Sequence, residues 1–310
     1  MDVYPIIRQE IAALQDHVML SGGDFQVFLL QSQEAPTLMQ ELYRLREVTF
    51  SAIGEGTGKE LDTDEFDAYY RHMILWNVPN GEIAGAYRLG FGPEIMQEKG
   101  IPGFYTASLV HYAPEMAPLL SQSMELGRSF IVAKYQREVL CLKFLLAGLA
   151  VSTLHCPQAK YFVGPVSMSA AIPSFYQTLA VYFLKRDFAF PDGEKLVQCP
   201  HPFVPDPACT NPEELLKDVP PGDIDAFDRK VAELSEGQYR LPVLFRKYFS
   251  CQARVAGFNV DPLFNNCVDA IIFLRHADYP EQTLRSLLRS VDPETKNAVW
   301  MQLKGVPFTE

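Results

Sequence analysis

Apolar and polar positions along this chain follow two periods, and the changes between them fall at glycines and prolines. Ile6, Ile7, Ile11 and Leu14 sit at helical spacing within Pro5–His17, with Pro5 in the first turn, where its missing N–H costs nothing. Gly22-Gly23 closes that segment, and Phe25–Leu30 (FQVFLL) reads as a strand. Glu34–Ser51 predicts a helix with Leu38, Leu42, Leu45 and Phe50 on one face and Arg44 and Arg46 beside it. Gly54–Asp64, rich in glycine and carboxylates, predicts a loop. His72–Val78 and Glu82–Leu89 are β-rich runs around Pro79-Asn80-Gly81, and Asn-Gly between apolar runs is a strong hairpin signal.

Met124–Val132 predicts a further strand, Val139–Leu154 a long apolar helix, Tyr161–Ser167 a buried strand and Ser174–Leu184 a helix. Eight prolines (191, 200, 202, 205, 207, 212, 220 and 221) then deny regular structure and predict a linker crossing the surface. Helices at Asp223–Ser235 and Pro242–Cys251, strands at Arg254–Asp261 and Val268–Leu274, and a closing helix at Pro280–Ser290 follow. This order predicts an α/β (α+β) architecture, a mixed sheet flanked by helices. It divides into an N-terminal helix (1–22), a core (23–190), the proline-rich linker (191–222) and a C-terminal extension completing the core (223–310). There is no GxGxxG run and no Walker lysine loop, so those nucleotide classes are set aside.

Composition narrows the classes further. With 310 residues, 48% hydrophobic and 21% charged, the chain can bury a sizeable core. A formal net charge of −11 argues against general nucleic-acid binding, which needs a basic face. No apolar run reaches the roughly 18 residues of a membrane span. The first residues lack the pattern of a signal peptide, so a cytoplasmic location is expected. Six cysteines without CxxC pairing and six scattered histidines predict reduced thiols and no metal site.

Charges inside otherwise buried strands carry the candidate chemistry, because such a charge is costly unless paired or used. Arg88 ends the second hairpin strand, where it either pairs with a nearby carboxylate or grips a carboxylate or phosphate with its planar fork. Glu125 and Arg128 lie on one strand, open both to a structural ion-pair network and to a site. Gly127 between them signals a bulge that would present a backbone N–H to an oxyanion. Asp62, Asp64 and Asp67 read as a solvated loop, a cation site or a hold for a substrate amine. Ser167 either ends its strand or donates to a ligand. No GxSxG elbow or Cys/His pair is present, which favours chemistry without a covalent enzyme intermediate.

The succession Leu45-Arg46-x-x-x-Phe50, Leu61-Asp62-x-Asp64-x-Phe66-Asp67, Gly85-x-Tyr87-Arg88-Leu89 and Glu125-Leu126-Gly127-Arg128-Ser129 resembles the lipid-forming N-acyltransferases of the GNAT fold. These move a fatty acyl group from acyl carrier protein to an amino acid such as ornithine or glycine, and are related to the acyl-homoserine-lactone synthases. Tyr161–Ser167, Leu241-Pro242-x-Leu244-x-x-Lys247-Tyr248 and Gly257-Phe258-Asn259-Val260-Asp261-Pro262-x-Phe264 resemble the lipid branch, also known as haemolysin-like proteins.

The resemblance implies Glu125 as base or amine-orienting group. Arg88 and Arg128 would bind acceptor carboxylate or donor phosphate, with Arg46, Asp62, Asp64, Asp67 and Ser167 on the acceptor side. GNAT enzymes usually grip the donor pyrophosphate with a glycine-bearing loop at a helix start. Here that stretch reads Tyr135-Gln136-Arg137-Glu138-Val139-Leu140, without glycine. This favours acyl carrier protein over acyl-CoA as donor, met by Lys134, Arg137 and Lys143, with no tightly bound cofactor. An apolar groove from Val139–Leu154 and Phe175–Phe183 would take the acyl chain. Tyr176–Phe190, with Lys185 and Arg186, would touch the inner membrane face. A lactone-type signal synthase and a non-enzymatic lipid-binding protein remain the alternatives.

Overall fold

The computed structural model describes residues 3–309. Ten strands form: β1 (Val18–Gly22), β2 (Phe25–Leu30), β3 (Arg71–Asn77), β4 (Glu82–Phe91), β5 (His111–Tyr112), β6 (Ser123–Ile131), β7 (Tyr161–Met168), β8 (Val197–Gln198), β9 (Arg254–Asp261) and β10 (Cys267–Arg275). Eight of them make one mixed sheet in the order β1-β2-β3-β4-β6-β7-β10-β9, and β5 pairs with β8 apart from it. The expected mixed sheet with flanking helices is the fold found.

Strand periodicity sorts the core into layers. Val27, Leu29, Met73 and Leu75 face the apolar helix Val139–Ser152, whereas Phe28, Leu30, Ile74 and Trp76 face helices Tyr4–Ala13 and Pro36–Ser51. The β3–β4 hairpin closes where expected. Asn77 Oδ1 accepts from the Asn80 amide at 3.0 Å, and Gly81 takes a positive φ of 62° that a side chain would resist.

β6 and β7 position the site. They run parallel, but are in register only for Ser123–Glu125 against Tyr161–Val163. Beyond that point β6 stays with β4, while β7 pairs along its whole length with β10. The sheet therefore opens between two neighbouring strands.

Several elements differ from the pattern reading, among them helix Gly92–Glu98 and strand β5, which it did not anticipate. The proline-rich segment is not a bare linker: it holds helix Gly193–Leu196, strand β8 and helix Pro212–Leu215. It lies along the outer edge of β9, with Phe190 N donating to Val255 O and Phe203 N to Phe258 O, and it buries Val197, Cys209, Leu216 and Val219. Prolines suit this place, because an edge cover need not continue a hydrogen-bonded ladder. Strand β1 was not anticipated, its short apolar run being split by Ser21. The helix Pro293–Lys304 was also missed, although Asp292 caps it by accepting from Thr295 N at 2.9 Å and Gly305 ends it.

Candidate active site

Six of the singled-out side chains converge. Helix Pro36–Ser51 supplies Arg46, the loop and 3-10 turn ending at Ala68 supply Asp62, Asp64 and Asp67, β4 supplies Arg88, and β6 supplies Arg128. Arg46 pairs with Asp67 at 2.7 Å and Asp62 at 3.2 Å. Arg88 reaches Asp67 at 3.1 Å and also Asp64, and Arg128 reaches Asp62 at 3.0 Å and Asp64 at 3.3 Å. Three guanidinium groups thus neutralise three carboxylates, which removes the charge a bound cation would need. Burial would raise the Asp67 carboxyl, but Arg46 and Arg88 outweigh it and hold it well below the usual carboxylate range. Among the described residues, Nε and Nη2 of Arg88 find no hydrogen-bond partner; its guanidinium lies 5.2–5.6 Å from the ring centres of Phe66, Tyr70 and Tyr105, which supply cation–π attraction instead.

Glu125 is buried outside this network. Its carboxylate accepts from the Tyr105 and Thr106 amides, each at 2.8 Å, and from the Tyr70 and Thr106 hydroxyls. Burial pushes its pKa up, against those hydrogen bonds. Tyr105 in turn packs on Arg88 and Arg128. Glu125 therefore pins the Tyr105 turn onto the ion network.

The signalled bulge is present, displaced by one residue. Ala86 pairs with Phe130 and Arg88 with Gly127, so β6 fits one extra residue opposite Tyr87. Arg128 takes the strain with φ at 48°, and a Cβ added at Gly127 would point into open space.

That space is a cavity of about 1070 Å³ filling the opening between β6 and β7. Phe162 pairs with Leu274, and Ser167 with Asp269 five residues further along. The two pairs lie about 16 Å apart at strand rise. The Phe162–Leu274 region joins Leu146, Leu149, Leu287 and Leu303 in an apolar wall. The Ser167–Asp269 region joins Arg128, Glu55 and Asp261 in a polar one. Between them the hydroxyls of Tyr87 and Tyr248 meet at 2.9 Å.

Asp269 accepts from Ser167 Oγ at 2.6 Å, and burial raises its pKa to about 6, aided by Asp261. Glu55 is pushed up to about 7 by burial and by Asp269.

Of the residues singled out, Arg128, Ser167 and Lys143 reach the cavity wall. Arg46, Asp62, Asp64, Asp67 and Arg88 form the buried network beneath Arg128, and Glu125 is held behind Tyr105. Lys134 pairs with Glu82, and Arg137 is exposed off the wall. The apolar groove is built from Val139–Ser152 but takes no residue of Phe175–Phe183. Sequence reasoning missed Asp269, Glu55, Asp261 and Tyr248. A lone carboxylate within Cys267-Val268-Asp269-Ala270-Ile271 meets the same criterion that drew attention to Glu125.

Residues 45–145 match the acetyltransferase (GNAT) domain family. Over 260 residues, the chain is 33% identical to a glycine N(alpha)-acyltransferase of Bacteroides thetaiotaomicron, covering 79% of this chain and 75% of the relative. A protein of the same description from Phocaeicola vulgatus is 31% identical over 238 residues, covering 73% and 71%. Among solved structures, the acyl-homoserine-lactone synthase LasI aligns with a TM-score of 0.36 and 20% identity, covering 47% of this chain and 74% of that one.

Proposed function

We propose that this chain, which belongs to the family of the glycine N(alpha)-acyltransferases and is an N-acyltransferase of the GNAT fold, moves a long-chain acyl group from a thioester to the amine of glycine. The observation carrying this reading is the cavity that opens where β6 and β7 part. It is apolar at one end, polar at the other, and at about 1070 Å³ slightly exceeds the usual range of roughly 300–1,000 Å³ for small-molecule sites.

The acyl chain lies against Leu146, Leu149, Phe162 and Leu303, and the thioester against the bulge at Arg128–Ser129. Amides of the bulge stand outside the β4 register and stabilise the tetrahedral oxyanion. Arg128, which the ion network fixes on the cavity wall, meets the acceptor carboxylate. Arg46, Arg88 and the three aspartates hold Arg128 in place, and Glu125 holds Tyr105 against it. Aligning amine and thioester removes much of the entropic part of the barrier.

Acyl carrier protein is the proposed donor. Glu138 at the start of helix Val139–Ser152 repels a pyrophosphate, while Lys143 on the wall suits a single phosphate. The product, an N-acylated amino acid, is an amphiphile released toward a membrane surface, and its synthesis opens a route to amino-acid-containing lipids.

The test is to supply palmitoyl-acyl carrier protein or palmitoyl-CoA with glycine, ornithine or S-adenosylmethionine and weigh the products. N-palmitoylglycine from the carrier protein is expected. A lactone from S-adenosylmethionine, or bound but unconverted thioester, would overturn the reading.

A further inference from the structure

We propose that Asp269, supplied by β10 in the C-terminal part of the chain, is the proton acceptor that converts the bound ammonium of the acceptor into the attacking amine. This deepens the glycine N-acyltransferase reading and rests on it.

Asp269 is nine-tenths buried and lies on the polar wall of the cavity. Its two hydrogen bonds, from Ser167 Oγ at 2.6 Å and Cys267 Sγ at 3.6 Å, both go to Oδ1. Among the described residues Oδ2 accepts none, although the other carboxylates of the region are engaged or loosely held. Glu125 spends its oxygens on the Tyr105–Thr106 turn, away from the wall. Asp261 Oδ1 caps its own turn by accepting from Leu263 N at 2.8 Å. Glu55 stands on the loop after helix Pro36–Ser51. Asp261, at the end of β9, likewise has one oxygen engaged, but it serves as a turn cap; Asp269 is held by one oxygen within β10, on the cavity wall, with Oδ2 left open.

The charges around it suit the task. Asp261 from β9 raises the affinity of Asp269 for a proton, and Asp269 in turn raises that of Glu55 on the loop. Arg128 from β6 pulls the other way, while Ser167 from β7, Cys267 on β10 and the more distant Tyr105 complete its surroundings. A carboxylate with a pKa raised to about 6 remains ionised at neutral pH, yet accepts a proton more readily than an ordinary one.

One proton of the ammonium passes to Oδ2. The freed nitrogen pair forms the C–N bond at the thioester carbon, and the carbonyl pair moves onto oxygen. On collapse the C–S bond breaks, sulfur leaves with its pair, and the second nitrogen proton ends on the thiolate. Asp269 then releases its proton to solvent. The sum is ammonium plus thioester giving amide, thiol and one proton.

The test compares wild type, Asp269→Asn and Glu55→Gln with glycine and palmitoyl thioesters from pH 5 to 9. Wild-type kcat/KM for glycine should rise through about pH 6. In Asp269→Asn kcat should fall by about 10²–10⁴-fold and that limb should vanish, with donor KM held within about twofold. Glu55→Gln, on a half-buried loop, should leave the limb near pH 6 in place, because the raised Glu55 carboxyl is largely protonated there, and loss of the limb in that variant would transfer the proton-acceptor role to Glu55. Wild-type turnover with an Asp269→Asn variant of similar rate and unchanged limb would overturn the role of Asp269 and leave the N-acyltransferase reading standing. No N-acylglycine from wild type with either thioester would overturn both.

Discussion

Asp67 and Asp269 are buried to the same degree, each with 3% of its surface exposed, yet the fold drives their protonation in opposite directions. Around Asp67 two guanidinium groups more than cancel the desolvation of the charge, and its pKa falls below the carboxylate range. Around Asp269 a serine hydroxyl and the neighbouring Asp261 leave desolvation uncancelled, and its pKa rises to about 6. Depth of burial therefore says nothing about the state of a carboxylate until its partners are known. A closed, charge-balanced network suits a scaffold. A half-satisfied carboxylate beside a cavity suits proton transfer.

The contrast makes the ion network the place of largest loss. Arg88→Ala leaves Asp64 and Asp67 short of a cation inside the protein, and should cost about 3–5 kcal/mol in urea unfolding. Wild-type stability at that site would then owe nothing to pairing if the variant unfolded at the same urea concentration. Asp269→Asn should act with the reverse sign. Its folded pKa is raised, so the protonated form is favoured and the stability it lends is complete below the unfolded value of about 3.9 and lost as pH rises through 6. The neutral asparagine escapes that loss, so the variant should be more stable than wild type by about 1–3 kcal/mol at pH 8, and the gain should fade by pH 4. Equal stability at both pH values would show that Asp269 carries no buried-charge penalty.

For Asp67 the lowered pKa gives stability present above about pH 3.9 and lost as pH falls through its folded value. Acid unfolding should reach this network together with His72, whose buried ring is held near 4 chiefly by desolvation and must take up a proton.

Glu125→Gln should cost about 1–3 kcal/mol by weakening the carboxylate's hold on the Tyr105 turn. The limb of kcat/KM near pH 6 should stay in place, and its disappearance would transfer the proton-acceptor role from Asp269 to Glu125. Leu146→Trp, which narrows the apolar end, should lower turnover of palmitoyl thioesters about tenfold relative to short-chain ones, the scale of a misfit in a hydrophobic pocket. Lys134→Ala marks the smallest effect. Its ammonium is tied to Glu82 away from the cavity wall, so donor KM should be unchanged.

Much of the fold was legible because its signals are local. Asn80-Gly81 marked the hairpin, short β-rich runs marked β2, β9 and β10, and a long apolar run broken only by Lys143 marked the helix Val139–Ser152, which lies between sheet and C-terminal elements. The charges at Arg88, Glu125 and Arg128 were visible as anomalies in apolar strands, while Asp62 and Asp67 stood in an acidic loop and Arg46 beside an apolar helix face, and all six are buried or nearly so. What they do was not visible. Arg88 and Glu125 look alike in a string of letters, yet one joins a network and the other staples a turn.

From the order of its residues alone, this chain specified most of its long helices and strands and the set of charges that had to be compensated, since periodicity and the cost of burying charge act on each segment separately. Which of those charges would face a cavity was decided in three dimensions. One extra residue turns Arg128 into the opening of the sheet, and the pairing of β7 with β10 brings Ser167 onto Asp269 across 102 positions of sequence. No local pattern records such a meeting, because it depends on strand register across the whole fold.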